Sequence, residues 1–461
     1  MSAAFDAMTA MELRGRIARR EISPVEVTRR ALEKAEATQN SLNAFFFLMP
    51  EKAMAAAKAA EASVMRGDRL GSLHGVPFSA KDLIAVGGER FAFGSRCMAD
   101  NIAAADAPSV ARAKQAGAIL IGKTTTSEFG CKGVGDSPLT GVTRNPWNLA
   151  KAAGGSSAGA AASVAGGVTP IALGTDGGGS LRIPGCLTGL AAIKGQFGRI
   201  PVWPVSATTT LAHVGPMART VEDAALLFMA CAGYDERDPY SVAGPVPDLL
   251  AACQQDVKGL RVAYSPTLGY ARPDAEVLRV VAAAAEQFEK LGCTVDRVER
   301  VFDRDPVEIW AAEFYAGAGT RLRPFLESKR ELIDPAVADI LEQALRQELR
   351  DYYDKVFERY ALRDKLGPFF ERYNILLSPG AAGDVARHRQ ESAGPSFGPK
   401  SGVVGLLHLS VQPHRAARGH GLRRHCGRRH AGRPADRRPR AWRSGRGAGR
   451  RGLRTQPAGG I

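Results

Sequence analysis

Three consecutive glycines, Gly177 to Gly179, stand directly before Ser180 in the stretch GTDGGGSLRIPG, residues 174–185. Glycine gives up more conformational freedom on folding than any other residue, so such a run marks backbone that must bend unusually or approach something closely. Two jobs suit it: cradling a phosphate, or aiming N–H groups at a developing oxyanion beside a serine nucleophile. A flexible turn is the plain alternative. The phosphate motifs fail on their partners. No Lys follows the glycines, and a dinucleotide fingerprint would need a glycine where Arg182 stands. The G-x-S-x-G elbow fails as well, because Leu181 and Arg182 follow Ser180. What remains is a serine behind a nest of N–H groups, delivered by the apolar run VTPIALGTD.

That run is one strand in a longer alternation. GVPFSAKDLI, AILIGKT, LAAIKG, GLRVAYSP, CTVDRVE and YNILLSP read as strands. PSVARAKQAG, SSAGAAASVAGG, TVEDAALLFMACAG and DAEVLRVVAAAAEQFEKLG read as helices between them, the third opening on a capping-box-like Thr220…Asp223. Residues 306–372 are mostly helical in pattern. Two helices precede all this: one with Ser23 as N-cap and Pro24 at its first position, the other closed by Gly67. Alternation of this kind predicts an α/β fold with a parallel or mixed sheet. The small-residue helix would let helix and sheet backbones approach closely. At 461 residues and 45% hydrophobic, the chain can bury one large core or two to three smaller ones.

A serine nucleophile needs a base. Before residue 401 the only histidines are His74, His213 and His388, and the first two flank glycine turns that suit structural roles. A desolvated lysine is then the natural base, since burial favours its neutral form. Lys81 ends an apolar strand, although a lysine considered alone there reads as a surface charge. Ser156 and Ser157 in AAGGSSAGAAASVAGG read, taken alone, as a helix N-cap. Cys186, near the glycine loop, reads as a buried small hydrophobe.

Taken together, KDL, GGSSAG and GTDGGGSLRIPG, with Ser156 24 residues before Ser180, resemble the amidase signature family. The resemblance runs from about residue 10 to 380 and includes GKTTTSEFG, TRNPWN and GPMARTVEDAA. It implies a large mixed, twisted β-sheet flanked by α-helices on both faces. It also implies a Ser–cis-Ser–Lys triad, with Ser180 as nucleophile, Ser156 as bridging serine entered by a cis peptide bond from Gly155, and Lys81 as base. The oxyanion would be held by N–H groups of Gly177, Gly178, Gly179 and Ser180, with side chains at 177–179 excluded because they would obstruct that backbone. Asp176 and Arg182 would pair to support the loop; a plain surface ion pair is the alternative. No cofactor and no metal are implied. The acyl group is not legible, and Cys131, Asp136 and Trp203 are guesses at pocket residues.

The reading is therefore a hydrolase acting on the C–N bond of a linear carboxamide through an acyl-enzyme. The alternative is the A subunit of a glutamine-dependent tRNA amidotransferase, which shares the triad. That subunit typically reads Arg-Gln-Pro after the nucleophile, where this chain has Arg182-Ile183-Pro184. The expected domains are an N-terminal helical segment over 1–66 packing on the core, a core over 67–400 with a helical insertion at about 306–372, and a tail over 401–461. A small-molecule amide is the expected partner, with a homodimer as the protein partner to consider. No h-region suggests a signal peptide, no run of about 18 apolar residues suggests a membrane span, and the seven scattered cysteines suit a reducing cytoplasm.

The formal net charge of +15 comes from the tail. Residues 401–461 hold 15 Arg, no Lys and one acidic residue, Asp436; removing them leaves 47 basic and 46 acidic side chains. No nucleic acid is therefore expected as partner of the body, and binding through the Arg-rich tail is the non-enzyme alternative, beside an inactive truncated amidase. The family typically carries Tyr-Pro-Phe-Asn-Leu-Thr-Gly near this point. Codons permitted for Leu406 to Arg415, read one base out of register, spell Ser-Tyr-Thr-Tyr-Pro-Phe-Asn-Leu-Thr-Gly. The tail is thus expected to be out of frame, or else disordered for want of apolar residues.

Overall fold

The computed structural model describes residues 6–381. The expectations for 401–461 and for His388 lie outside them. The main sheet has six strands: β1 (Phe45–Leu48), β2 (Pro77–Lys81), β3 (Ile119–Thr124), β8 (Ile171–Thr175), β9 (Ala191–Ala192) and β10 (Val214–Ala218). Between β3 and β8 lie two small hairpins, β4 (Asp136–Ser137) with β5 (Gly141–Val142) and β6 (Arg144–Asn145) with β7 (Asn148–Ala152). The order across the main sheet is β1-β3-β2-β8-β10-β9. Strands β3, β2 and β8 run parallel, while β1, β10 and β9 are antiparallel to their neighbours. The sheet is mixed, as expected for an α/β fold.

Both faces are covered, which explains why the central strands read as unbroken apolar runs. Ile119 and Ile121 of β3 pack with Ala31, Ala35, Ala53 and Ala57 of helices Pro24–Leu42 and Pro50–Arg66. Leu120 points the other way, into a cluster with Phe78, Leu173, Val110 and Leu227. The small-residue helix Ala158–Ala165 is buried almost along its length, and a Cβ at Gly159 would lie 2.2 Å from the Ala44 carbonyl oxygen. The helix caps follow the sequence. Ser23 forms a capping box with Glu26, and Gly67 ends its helix in the left-handed region. Thr220 accepts from the Asp223 N–H, but Asp223 does not reciprocate: its carboxylate accepts the Ala10 and Met11 N–H groups and docks helix Ala10–Ala18.

Two expectations need correcting. The stretch around Gly215-Pro216 reads as a turn, yet β10 lies inside the sheet, bonded to both β8 and β9. The strands of the second half do not extend the main sheet. Among the described residues, β11 (Arg261–Tyr264), β12 (Thr294–Arg297) and β13 (Ile375–Leu377) form a separate parallel sheet in the order β12-β11-β13. Helices Val307–Ser328, Pro335–Ala344 and Leu349–Arg372 lie in sequence between β12 and β13.

Candidate active site

Parallel strands β2 and β8 are neighbours, so their carboxyl ends bring Lys81 and Thr175 together. Such strand ends are where open α/β sheets build their sites. Ser156 and Ser157 arrive from the other direction, at the start of helix Ala158–Ala165, through a cis Gly155–Ser156 peptide bond. Lys81 is fully buried rather than a surface charge. Its Nζ lies 2.7 Å from Ser156 Oγ, 3.0 Å from Ser157 Oγ and 2.8 Å from Thr175 Oγ1. Burial drives the Lys81 pKa well below its ordinary value, against the opposing charge of Asp176.

A neutral amine has two N–H groups and one lone pair for three hydroxyls. Ser157 donates its hydroxyl proton to the Thr175 carbonyl, 3.1 Å, and accepts the Thr175 N–H, 3.2 Å. Toward Lys81 it can therefore only accept. The lone pair is left to Ser156 or Thr175, and the Ser156 contact is the shorter. This arrangement suits a base aimed at one hydroxyl.

Strand β8 runs straight into the glycine loop. Asp176 is wholly buried and accepts the Gly179 N–H at 2.8 Å and the Leu181 N–H at 3.2 Å. Arg182 meets it bidentately, at 2.9 and 2.8 Å, and Lys194 at 3.2 Å. Burial alone would raise the Asp176 carboxyl; the charges of Lys194 and Arg182 outweigh it and hold the group far below the usual carboxylate range. The pair at Asp176 and Arg182 is thus no surface bridge. Lys194, which carries no mark of a site inside LAAIKG, completes it.

With the Gly179 N–H spent on Asp176, the N–H groups of Gly177, Gly178 and Ser180 have no acceptor among the described residues. Ser180 is half-buried, and its carbonyl accepts the Ser157 N–H at 3.3 Å, which ties the loop to the serine helix. The need for three glycines has a cause beyond the one expected. Gly179 sits at φ +127, which side chains rarely adopt. A Cβ at Gly177 would lie 2.9 Å from the Phe314 ring, and one at Gly178 2.6 Å from Trp310. Aromatic side chains of helix Val307–Ser328 occupy that space.

The remaining expected residues scatter. Cys131 is buried in the apolar cluster of Phe314. Asp136 pairs with Lys132 at 2.9 Å. Trp203 lies under the Arg237 guanidinium, 5.0 Å from its ring centre. His74 and His213 each bond a backbone carbonyl, of Ala60 and Leu211. Cys186 is exposed, not buried. Among the described residues no cluster of three or more His, Cys, Asp or Glu could hold a metal, and no helix is long and apolar enough to cross a membrane.

Known proteins share this arrangement of sequence and fold. The family model described as Amidase matches residues 26–399. The acylamidase of Rhodococcus erythropolis is 36% identical over 385 residues, covering 83% of this chain and 81% of that protein. The A subunit of the glutamyl-tRNA(Gln) amidotransferase of Geobacter sulfurreducens is 40% identical over 286 residues, 62% of this chain and 59% of the subunit. Among solved structures, a bacterial aryl acylamidase of the amidase signature enzymes matches with a TM-score of 0.76 at 29% identity, covering 82% of this chain and 80% of that one.

Proposed function

This chain belongs to the amidase signature family and is an amidase that hydrolyses the C–N bond of amides; from that premise we propose that Lys81, Ser156 and Ser180 are its catalytic residues. Ser180 Oγ attacks the amide carbonyl carbon while its proton passes to Ser156, whose own proton moves to the neutral Lys81 Nζ. The oxyanion is met by N–H groups of the glycine loop. Gly177, Gly178 and Ser180 offer theirs directly, while the Gly179 N–H is held by Asp176 and fixes the turn that aims the others. In other serine enzymes one such donor contributes about 3 kcal/mol. The proton then returns through Ser156 to the leaving nitrogen as the C–N bond breaks, and water hydrolyses the acyl-enzyme. Asp176, Arg182 and Lys194 hold the loop in position. The contact between the Ser156 and Ser180 hydroxyls is the link that forms with substrate in place, as catalytic hydrogen bonds often do.

The observation that carries this reading is a fully buried lysine aimed at Ser156. A serine-directed phosphonate tests it: the label should map to Ser180, and a label on Ser156 or Ser157 refutes the assignment. The match to an amidotransferase A subunit favours a second reading, glutamine hydrolysis for a partner. Glutaminase activity exceeding hydrolysis of simple amides would establish it. Small-molecule amides are the substrates of the first reading. The cysteines among the described residues are all free, which supports work in the reducing cytoplasm. The family match stops at residue 399, beside the composition break, which supports an out-of-frame tail; the coding DNA tests it.

A further inference from the structure

Helix Val307–Ser328 lays its aromatic face on the glycine loop. Trp310 donates its indole N–H to the Gly177 carbonyl at 3.2 Å and covers Gly178, where a methyl group in place of hydrogen would strike the indole ring. Phe314 stacks behind it, ring centres 4.7 Å apart, and Tyr315 meets it edge-on at 5.2 Å. The Tyr315 hydroxyl in turn donates to the Cys131 carbonyl at 3.4 Å. Cys131 adjoins Gly130, where a Cβ would lie 3.4 Å from Ser156 Oγ. One apolar cluster therefore touches the glycine loop through Trp310 and Phe314 and reaches Cys131, next to Gly130 beside Ser156. Phe314 is buried, while Trp310 stays half-buried.

Two charged side chains beside this cluster already have partners. Lys132 pairs with Asp334 and Asp136, and Glu313 pairs with Arg359. A substrate carrying an ammonium and a carboxylate would find those partners already engaged. A flat apolar group beside Gly178 would meet the indole of Trp310.

We propose that Trp310, backed by Phe314, is the specificity-determining residue of this site, and that it selects amides bearing a planar aromatic substituent. The proposal rests on the triad reading, because only that reading puts the scissile carbonyl beside Gly177 and Gly178. Aromatic pairing contributes up to about a tenfold preference beyond area burial.

Binding to the full-length Ser180→Ala variant, followed by calorimetry, tests it without turnover. Two pairs separate flatness from size: benzamide against cyclohexanecarboxamide, and acetanilide against N-cyclohexylacetamide. The first places the ring on the acyl side, the second on the nitrogen. The planar member of at least one pair should bind about fivefold to tenfold tighter. Adding Trp310→Leu should erase that preference, and Trp310→Phe should retain most of it. No preference in either pair with Trp310 present overturns the proposal, as does a preference that survives Trp310→Leu. If Trp310→Leu does not fold, loss of the preference in Trp310→Phe to the level of the alicyclic amides overturns it instead. Failure of the phosphonate to label Ser180 in the unsubstituted chain would strike the triad and not the binding result, so the two readings fail separately.

Discussion

Replacing Lys81 by methionine should change the pH dependence of stability as well as activity. In the unfolded chain the amine takes its ordinary value of 10.5; in the fold, burial holds it well below. Between those two values the unfolded state binds one more proton, so stability rises with pH, by about 1.4 kcal/mol per unit. Below the folded value both states are protonated and the slope disappears. Methionine does not titrate. The gap between wild type and Lys81→Met should therefore move in favour of wild type by about 1.4 kcal/mol for each pH unit across that window. A constant offset runs beneath it. The substitution leaves Ser156 and Thr175 without the amine they face, at about 1–3 kcal/mol for each buried group left unsatisfied. Keeping the lysine neutral below its unfolded value costs the wild type stability, and that cost shrinks as the pH rises toward 10.5. Offset and penalty oppose each other, so the sign of the gap at one pH decides nothing and its slope decides everything. Urea unfolding of both proteins from pH 6.5 to 9 at fixed salt measures that slope. Parallel curves would mean that Lys81 keeps its charge in the fold, and the proposed base would be lost. Hydrolysis in the same samples should fall by about 10²–10⁴-fold, the usual contribution of a positioned base.

Two further substitutions probe the scaffold. Gly159→Ala should destabilise by several kcal/mol in thermal or urea unfolding, since its Cβ would press on the Ala44 carbonyl oxygen and on Thr125 Oγ1 at 2.4 Å, and backbone cannot rotate away. A change under about 0.5 kcal/mol would show that helix and sheet are not locked there. Asp176→Asn should cost about 3–5 kcal/mol, because it leaves the buried Lys194 beside an uncharged partner and removes the bidentate carboxylate that Arg182 grips. It should lower kcat more than it raises KM, and an unchanged unfolding midpoint would refute the pairing.

Much of the fold is legible because local chemistry decided it. Ser23-Pro24 starts a helix, Gly67 ends one, and ILIGKT can only be a strand covered on both faces. Strand β10 is hidden because Gly215-Pro216 carries the punctuation of a turn and Pro216 has no N–H for a ladder. Strand β1 is hidden because FFFL follows its helix almost at once, with Asn43 in the left-handed region making the turn. The separate sheet of β11, β12 and β13 is a matter of pairing, which strand pattern does not encode. At the proposed site, the glycine run alone points to Ser180 and the scarcity of His to a lysine base, but Ser156 and the choice of Lys81 come from the family resemblance, because a lysine at a strand end has no local mark of burial. Trp310 and Phe314 have no mark at all. They lie more than 130 residues beyond the glycines they cover, and only the packed helix reveals why those positions lack side chains.

The second sheet gives the molecule a timetable. Strand β13 pairs with β11 from far along the chain, and the Arg261 N–H donates to Asn374 Oδ1 across 113 residues. The strands of the six-stranded sheet end at Ala218, so a chain growing from its N-terminus can fold that sheet before β13 exists. Lys81, Ser156 and Ser180 all lie within the earlier six-stranded sheet and its connections. Helix Val307–Ser328 is strung between β12 and β13, inside the late loop. A folding chain should therefore assemble the proposed nucleophile Ser180 before the aromatic wall that covers the loop beside it. During that interval, on the roles proposed above, the nascent enzyme would be a chemist without a sense of taste.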